Sequence, residues 1–379
     1  MKKVIVLGAG LIGKTIAIDL CSQYDVTCSD VQPDSLKTLS SKHSIKTVVC
    51  NFKEDIELKK LIAPFDLVII AVPGFMGFSI LKKVIEEGKN IVDISFFPEN
   101  PLELDKLAKK NNVTAIVDCG VAPGLCNIIA GYHHSISKLN SYECLVGGLP
   151  MVREWPYEYK AVFSPIDVIE EYTRPARYVE NGKLVTREAL SDAEYINFEN
   201  VGTLESFNTD GLRTLAETMP EVPNMKEKTL RFPGHIELMR VLRETGFFDK
   251  KKIEINGTEI SPIEFTSKLL FPKWKMKNEE MDFTVMRVSV SNGEGKFIYN
   301  LYDVKDNVSG TTSMARTTAY TCTAAATLIL ENKYSQKGIS PPEFIGADKN
   351  CFDSVITYLN NRNVKLKMQK INKNEYTHA

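Results

Sequence analysis

The sequence predicts an α/β fold in which an N-terminal doubly wound domain on a parallel sheet is followed by a second α+β domain on a mostly antiparallel sheet. Three observations carry this. Residues 3–17 run from an apolar strand through a glycine turn into an amphipathic helix. Apolar strands and amphipathic helices then alternate as far as Asp118, and beyond Asn127 strand-like runs are joined by hairpin turns instead of crossover helices.

The opening turn is Gly8-Ala9-Gly10-Leu11-Ile12-Gly13. Its glycines serve a tight turn at Gly8, close approach of backbone to a pyrophosphate at Gly10, and close packing of helix on strand at Gly13. Such a pattern is weak alone, but here a strand precedes it, a helix follows it, and the acid Asp30 closes the next strand. This is the context of a Rossmann dinucleotide site, with phosphates expected at the helix N-terminus around Leu11 and Ile12. Asp30, followed by Val31, is expected at the ribose hydroxyls, where its charge repels a 2′-phosphate. No Arg or Lys stands in residues 30–33, so the expected cofactor is NAD rather than NADP.

Further strands are expected at residues 26–30, 47–51, 65–74, 90–95 and 114–118, with helices opening at Pro33 and spanning 79–87 and 103–110. The run 65–74 is apolar throughout, as suits a strand buried on both faces. Ligands of doubly wound sheets bind outside the carboxyl ends of the strands, which adds Ala71, Val72, Pro73, Ser95 and Gly120 to the expected cofactor contacts.

In the second half, Asn181-Gly182 and Asn256-Gly257 are two-residue hairpin turns, and residues 291–295 form a looser one. Ser164-Pro165-Ile166-Asp167 and Ser261-Pro262-Ile263-Glu264 read as helix starts. An alanine-rich, well-buried helix is expected over 314–330, and residues 338–342 end whatever follows it. A tail helix over 352–360 and a strand over 364–368 are expected to return to the nucleotide domain, because neither buries itself alone. The expected division is therefore 1–127 for nucleotide binding, joined by 311–379, and 128–310 for substrate binding and oligomerisation.

With 379 residues, 43% hydrophobic and 25% charged, the composition is that of a two-domain globular protein. A formal net charge of -1 without long runs of one sign gives neither a nucleic-acid footprint nor a polybasic membrane patch. No apolar stretch approaches the ~18 residues of a membrane span. The 8 Cys contain no C-x-x-C pair and no signal peptide precedes Val4, so a reducing, cytoplasmic setting and no bound metal are expected.

Four polar residues stand out as candidates for chemistry. Asp118 ends a strand ahead of a glycine-rich loop and reads as an acid/base or orienting group, or equally as a capped strand end. Arg213 and Arg231 can each fork onto a carboxylate, or serve as structural ion-pair members. His235, after Pro-Gly, reads as an acid/base, a substrate contact or a structural histidine. The adjacent His133 and His134 read as structural.

The glycine turn, Gly120-Val-Ala-Pro-Gly124, Phe163-Ser-Pro-Ile-Asp-Val-Ile-Glu-Glu-Tyr-Thr-Arg-Pro175, Leu204-Glu-Ser-Phe-Asn-Thr-Asp-Gly-Leu-Arg213, Lys228-Thr-Leu-Arg-Phe-Pro-Gly-His235 and Ser313-Met-Ala-Arg-Thr-Thr318 together resemble the saccharopine dehydrogenase-like superfamily, and within it the L-lysine 6-dehydrogenases. The saccharopine-processing members carry an acid at the position of Ala122 and an aromatic at that of His235. The resemblance thus implies NAD-dependent oxidative deamination of the ε-amine of L-lysine, giving a semialdehyde that closes to a cyclic imine with release of ammonia. A saccharopine dehydrogenase-type reaction and a non-catalytic NAD-binding sensor are the alternatives. The implied partners are a small amino-acid substrate and further copies of the chain, as a dimer or tetramer.

Overall fold

The computed structural model describes residues 1–43 and 45–372. They divide into two compact units. Unit 1 comprises Met1–Leu139, Arg213–Thr218 and Ala315–Lys365, and unit 2 comprises Asn140–Leu212, Met219–Met314 and the tail from Leu366.

Unit 1 is built on strands β1 (Lys3–Leu7), β2 (Asp25–Asp30), β3 (Lys46–Val49), β4 (Leu67–Ile70), β5 (Asn90–Asp93) and β6 (Thr114–Ile116). A seventh strand, Gly338–Ser340, extends the sheet, whose order is Gly338–Ser340, β6, β5, β4, β1, β2, β3. Every pair is parallel. The strand order reverses between β1 and β4, which is the switch point at which such sheets bind ligands. Val4 to Leu7 and Leu67 to Ile70 are wholly buried, as expected for central strands covered by helices on both faces. The edge strand Gly338–Ser340 is absent from the sequence expectation, which took these residues only as a stop; three residues give too short a period-2 signal to read.

Unit 2 carries β7 (Leu139–Pro150), β8 (Ala176–Glu180), β9 (Lys183–Arg187), β10 (Glu194–Phe198), β11 (Gly202–Asn208), β12 (Asn224–Arg231), the hairpin β13 (Ile253–Ile255) and β14 (Thr258–Ile260), then β15 (Asp282–Asn292) and β16 (Gly295–Val304). Its main sheet runs β10, β11, β12, β7, β15, β16 and the tail strand Leu366–Asn372, with β8 pairing to β12 and β9 to β8. β7 pairs parallel with β12, while β10–β11, β11–β12, β12–β8, β8–β9, β15–β16 and the pair of β16 with the tail strand are antiparallel.

Both Asn-Gly hairpins form with the geometry that their residues favour. Asn181 and Gly182 have φ of 50° and 73°, and Asn256 and Gly257 have 50° and 78°, the left-handed pair that a type I′ turn requires. The third hairpin closes at Asn292 opposite Gly295. Of the two expected helix starts, Ser261 accepts the backbone N–H of Glu264, whereas Ser164 makes no cap bond at the head of helix Pro165–Thr173. Helix Ser313–Leu330 takes its cap from a distant strand: the Asp282 carboxylate accepts the N–H groups of Ser313 and Met314 at 2.8 and 3.1 Å.

The tail corrects one expectation. Helix Lys349–Asn360 lies in unit 1, but strand Leu366–Asn372 pairs antiparallel with β16 of unit 2, so the segment 311–379 does not join the nucleotide domain as a whole. The free edge of β16 supplies a row of N–H and C=O partners for it.

Candidate functional site

The glycine turn has the geometry that its residues imply. A Cβ on Gly8, whose φ is 108°, would lie 2.2 Å from the Ala71 carbonyl oxygen, and one on Gly13 would lie 2.1 Å from that of Gly8. Both positions therefore exclude any side chain, because β1, β4 and the first helix meet there. At Gly10 a Cβ would meet nothing within 4 Å. The space beside Gly10 is open, and Gly10 caps helix Leu11–Leu20, which has no side-chain cap and no acid in its first turn. Partial positive charge at the helix end is thus left for an anion.

The remaining expected contacts lie at the carboxyl ends of the strands of the same sheet. Leu11 and Val31 are exposed, and Ile12, Asp30, Ala71 and Pro73 are partly so, while Val72, Ser95 and Gly120 are buried. The Asp30 carboxylate accepts N–H bonds from Ala9 at 2.7 Å and from Gln32 at 2.8 Å, which ties the glycine turn to the end of β2. Gly120 accepts from the Leu125 N–H and donates to Pro123 O, closing a loop onto the start of helix Leu125–Ile136. Gly124, at φ 135°, lies so near that a Cβ on it would fall 1.9 Å from Gly120 O.

The four candidates for chemistry fall into two buried networks, one in each unit. In unit 1, Arg213 Nε reaches both oxygens of Asp118 at 3.1 Å, and its Nη1 donates to Phe97 O at 2.7 Å. Both side chains are 1% exposed. Asp118 and Arg213 each adopt a left-handed backbone, with φ of 51° and 52°. Arg213 comes from the short stretch Arg213–Thr218 that belongs to unit 1 although the sequence on either side belongs to unit 2. Glu343 secures that stretch, accepting from the hydroxyls of Thr214 and Thr218, both at 2.7 Å.

In unit 2, Arg231 closes β12 and is fully buried. Its Nη2 donates to Glu171 at 2.5 Å, its Nε to the Tyr172 hydroxyl at 3.1 Å and its Nη1 to Leu230 O. The guanidinium lies over the Tyr159 ring, 4.5 Å from the centroid. His235 is bound on both ring nitrogens, Nδ1 to Tyr157 O at 2.8 Å and Nε2 to the Tyr172 hydroxyl at 2.9 Å. A carbonyl only accepts, so Nδ1 carries the proton and Nε2 accepts from Tyr172. Burial, and then the Arg231 charge, lower the His235 pKa to about 3, so the ring is neutral.

Arg231 thus has all three guanidinium nitrogens engaged within the protein, whereas Arg213 keeps Nη2 buried without a hydrogen-bond partner among the described residues. His235, held neutral and bonded on both sides, has no free nitrogen for proton transfer. Sequence reasoning passed over Glu171, Tyr172, Tyr159 and Glu343. Glu171 and Tyr172 lie within the segment Phe163–Pro175 that carries the resemblance, yet no role is drawn from it for either; Tyr159 sits in ordinary loop sequence, and Glu343 meets partners more than a hundred residues away. None of the eight cysteines forms a disulfide among the described residues. No helix there is long and apolar enough to cross a membrane.

Comparisons with known proteins bear on the fold and the family. Residues 4–116 match the saccharopine dehydrogenase NADP binding domain, and residues 120–364 match the saccharopine dehydrogenase C-terminal domain. The chain is 26% identical over 282 residues to the mitochondrial alpha-aminoadipic semialdehyde synthase of Rattus norvegicus, covering 69% of this chain but only 30% of that protein. It is 25% identical to the saccharopine dehydrogenase [NADP(+), L-glutamate-forming] of Pyricularia oryzae, with 71% of this chain and 63% of that one aligned. The structure of the apo L-Glu-forming saccharopine dehydrogenase of Saccharomyces cerevisiae superposes with a TM-score of 0.79 at 19% identity, over 98% of this chain and 100% of that one, and shares its fold. With a match to the C-terminal domain that alone spans more than half of its residues, the chain belongs to the saccharopine dehydrogenase family.

Proposed function

We propose that this chain is a nicotinamide-dinucleotide-dependent oxidoreductase that oxidises the carbon–nitrogen bond at the ε-carbon of a lysine-type amino acid. The observation that carries the reading is the open space at Gly10, above an uncapped helix end, in a chain of this family. When bound, the dinucleotide would accept the hydride. Residues Gly8 to Gly13 would hold its phosphates, and Asp30 its adenosine ribose. The ends of β4 and β5, at Ala71, Val72, Pro73 and Ser95, would flank the nicotinamide.

The substrate nitrogen must be neutral before hydride leaves its carbon, and a lysine ammonium has a pKa of about 10.4. Oxidation gives a carbon–nitrogen double bond. Water adds to that carbon, the nitrogen leaves, and an aldehyde remains. With lysine the leaving nitrogen is ammonia; with saccharopine it is glutamate.

Two readings of the substrate follow. The relatives favour saccharopine, because their names include an L-glutamate-forming saccharopine dehydrogenase. L-Lysine is favoured by Ala122, a partly exposed methyl in the loop closed by Gly120 and Gly124, where saccharopine-handling members are expected to carry an acid. On the cofactor, the family domain is described as NADP binding. The Asp30 carboxylate, with no Arg or Lys in residues 30–33, supports NAD instead. The test is to supply NAD or NADP with L-lysine or saccharopine and follow reduced nicotinamide by absorbance. Turnover of neither amino acid with either cofactor overturns the enzymatic reading and leaves a dinucleotide-binding sensor.

A further inference from the structure

We propose that Asp93 is a positioning residue: an uncharged buried acid that fastens the loop 94–97, and through it the nicotinamide side of the dinucleotide site. This rests on the dinucleotide reading above. Asp93 ends β5 and is completely buried. One carboxyl oxygen accepts the Ser95 N–H at 3.2 Å, and the other, Oδ2, has no hydrogen-bond partner among the described residues.

Charge counting fixes the state of this acid. The nearby ion pair Asp118–Arg213 is already matched one to one, with both Asp118 oxygens on Arg213. A second buried carboxylate would stand uncompensated beside it, so the proton stays on Asp93. Burial, opposed in part by the nearby Ser95 hydroxyl and reinforced by the Asp118 charge, raises its pKa to about 8. The groups facing it are Asp118 and Cys119 beyond β6, Arg213 from the crossing stretch, and Cys322 on helix Ser313–Leu330. Both thiols are themselves pushed up by burial and stay neutral, so Arg213 is the only cation in that set.

The loop that Asp93 holds is a mechanical link. Arg213 Nη1 grips its far end at Phe97 O. Helix Gly74–Glu86 rides directly on it: a Cβ on Gly77 would lie 2.5 Å from Ser95 Cβ and 2.8 Å from Phe97 Cδ1. That helix starts immediately after Pro73, at the end of β4. Ionising Asp93 adds an unpaired charge beneath Ser95 and loosens the seat of this helix. Dinucleotide affinity then falls with the fraction of protonated Asp93, approaching tenfold per pH unit well above its pKa.

The experiment measures NADH and NADPH affinity by fluorescence from pH 6 to 10, for the wild type and Asp93→Asn, alongside urea unfolding of both proteins across the same range and down to pH 5. The amide imitates the protonated acid and does not ionise. Expected is an alkaline loss of affinity in the wild type that starts near pH 8 and is absent from Asp93→Asn. The folded protein holds the Asp93 proton where the unfolded chain has lost it, so wild-type stability should also decline between about pH 5 and 8 relative to the variant. A wild type that binds NADH with the same affinity at pH 7 and pH 10 overturns the proposal, even if the variant fails to fold. Equal pH dependence of unfolding in the two proteins overturns it as well. Binding of neither dinucleotide at any pH overturns the dinucleotide reading, and with it this role.

Discussion

Arg213 Nε donates to both carboxylate oxygens of Asp118 at 3.1 Å inside unit 1, so each residue is the other's charge partner. Removing one member of a buried pair strands the other charge, at a cost of about 3–5 kcal/mol. Arg213→Ala is therefore expected to lower the urea midpoint by that order, and Arg213→Lys to rescue only part of it, since the ammonium cannot also hold Phe97 O in the same plane. If Arg213→Ala unfolds at the wild-type midpoint and loses only activity, Arg213 acts on substrate.

The glycine turn separates folding from binding at two neighbouring positions. A Cβ at Gly13 meets backbone at 2.1 Å, whereas one at Gly10 meets nothing. Gly13→Ala should be strongly destabilised. Gly10→Ala should unfold within about 0.5 kcal/mol of the wild type, yet bind NADH at least tenfold more weakly, because the methyl stands where a pyrophosphate would approach. Unchanged NADH affinity in Gly10→Ala would count against phosphate binding there.

Asp30 has a double task, since its carboxylate holds the N–H groups of Ala9 and Gln32 and is expected to meet a ribose. Asp30→Ala should weaken NAD and shift the NADP-to-NAD affinity ratio upward, with a loss of stability of about 1–3 kcal/mol from the two stranded amides. Titrating both cofactors against wild type and variant checks this. A preference ratio that does not move removes Asp30 from cofactor selection.

Much of the fold in both units was legible because its signals are local. The strand–glycine–helix of residues 3–17, the buried run around Leu67 to Ile70 and the two Asn-Gly hairpins all formed as patterned. What escaped was set by pairing at a distance. The strand Gly338–Ser340 is recognisable only beside β6, and the tail strand is drawn to the free edge of β16. The candidate site was legible as residue types but not as connections: Asp118, Arg213 and Arg231 are visible in sequence, but not that Asp118 meets Arg213 Nε across 95 residues or that Glu171 takes the Arg231 fork across 60. A sequence shows that a guanidinium is present, and burial decides whether its partner is a substrate or the protein.

His235 should behave as a neutral structural ring. Its folded pKa of about 3 lies below the unfolded value of 6.5, so between these limits the unfolded chain binds the extra proton and stability rises with pH. This contribution is complete above about pH 6.5 and is lost as pH falls toward 3. Comparing urea midpoints of wild type and His235→Asn at pH 4.5, 5.5 and 7 should show the gap between them narrowing in acid. Nitrogen-15 NMR of the ring should report the Nδ1–H tautomer at both pH 5 and pH 7. A ring that protonates near pH 6.5 would return His235 to the list of acid/base candidates.

Arg231 provides the sharpest contrast between a substrate clamp and a structural ion pair, because its three donor nitrogens face Glu171, Tyr172 and Leu230. A carboxylate of the substrate could take its fork only by displacing Glu171, whose bond to Nη2 measures 2.5 Å, and the guanidinium is packed over Tyr159 with almost no exposed surface. The expected result of Arg231→Ala is therefore a stability loss of about 3–5 kcal/mol, from Glu171 left buried without its partner. Replacing Glu171 by Gln as well should restore part of that loss, the mark of a coupled pair in a double-mutant cycle. The discriminating substrates are L-lysine and 1,5-diaminopentane, which lacks the α-carboxylate. A structural Arg231 changes the rate with both in the same proportion. A clamp instead raises the KM for lysine at least tenfold, from the loss of one or two charge-assisted hydrogen bonds of about 1.5–3 kcal/mol each, leaves the diamine unaffected, and barely moves the unfolding midpoint.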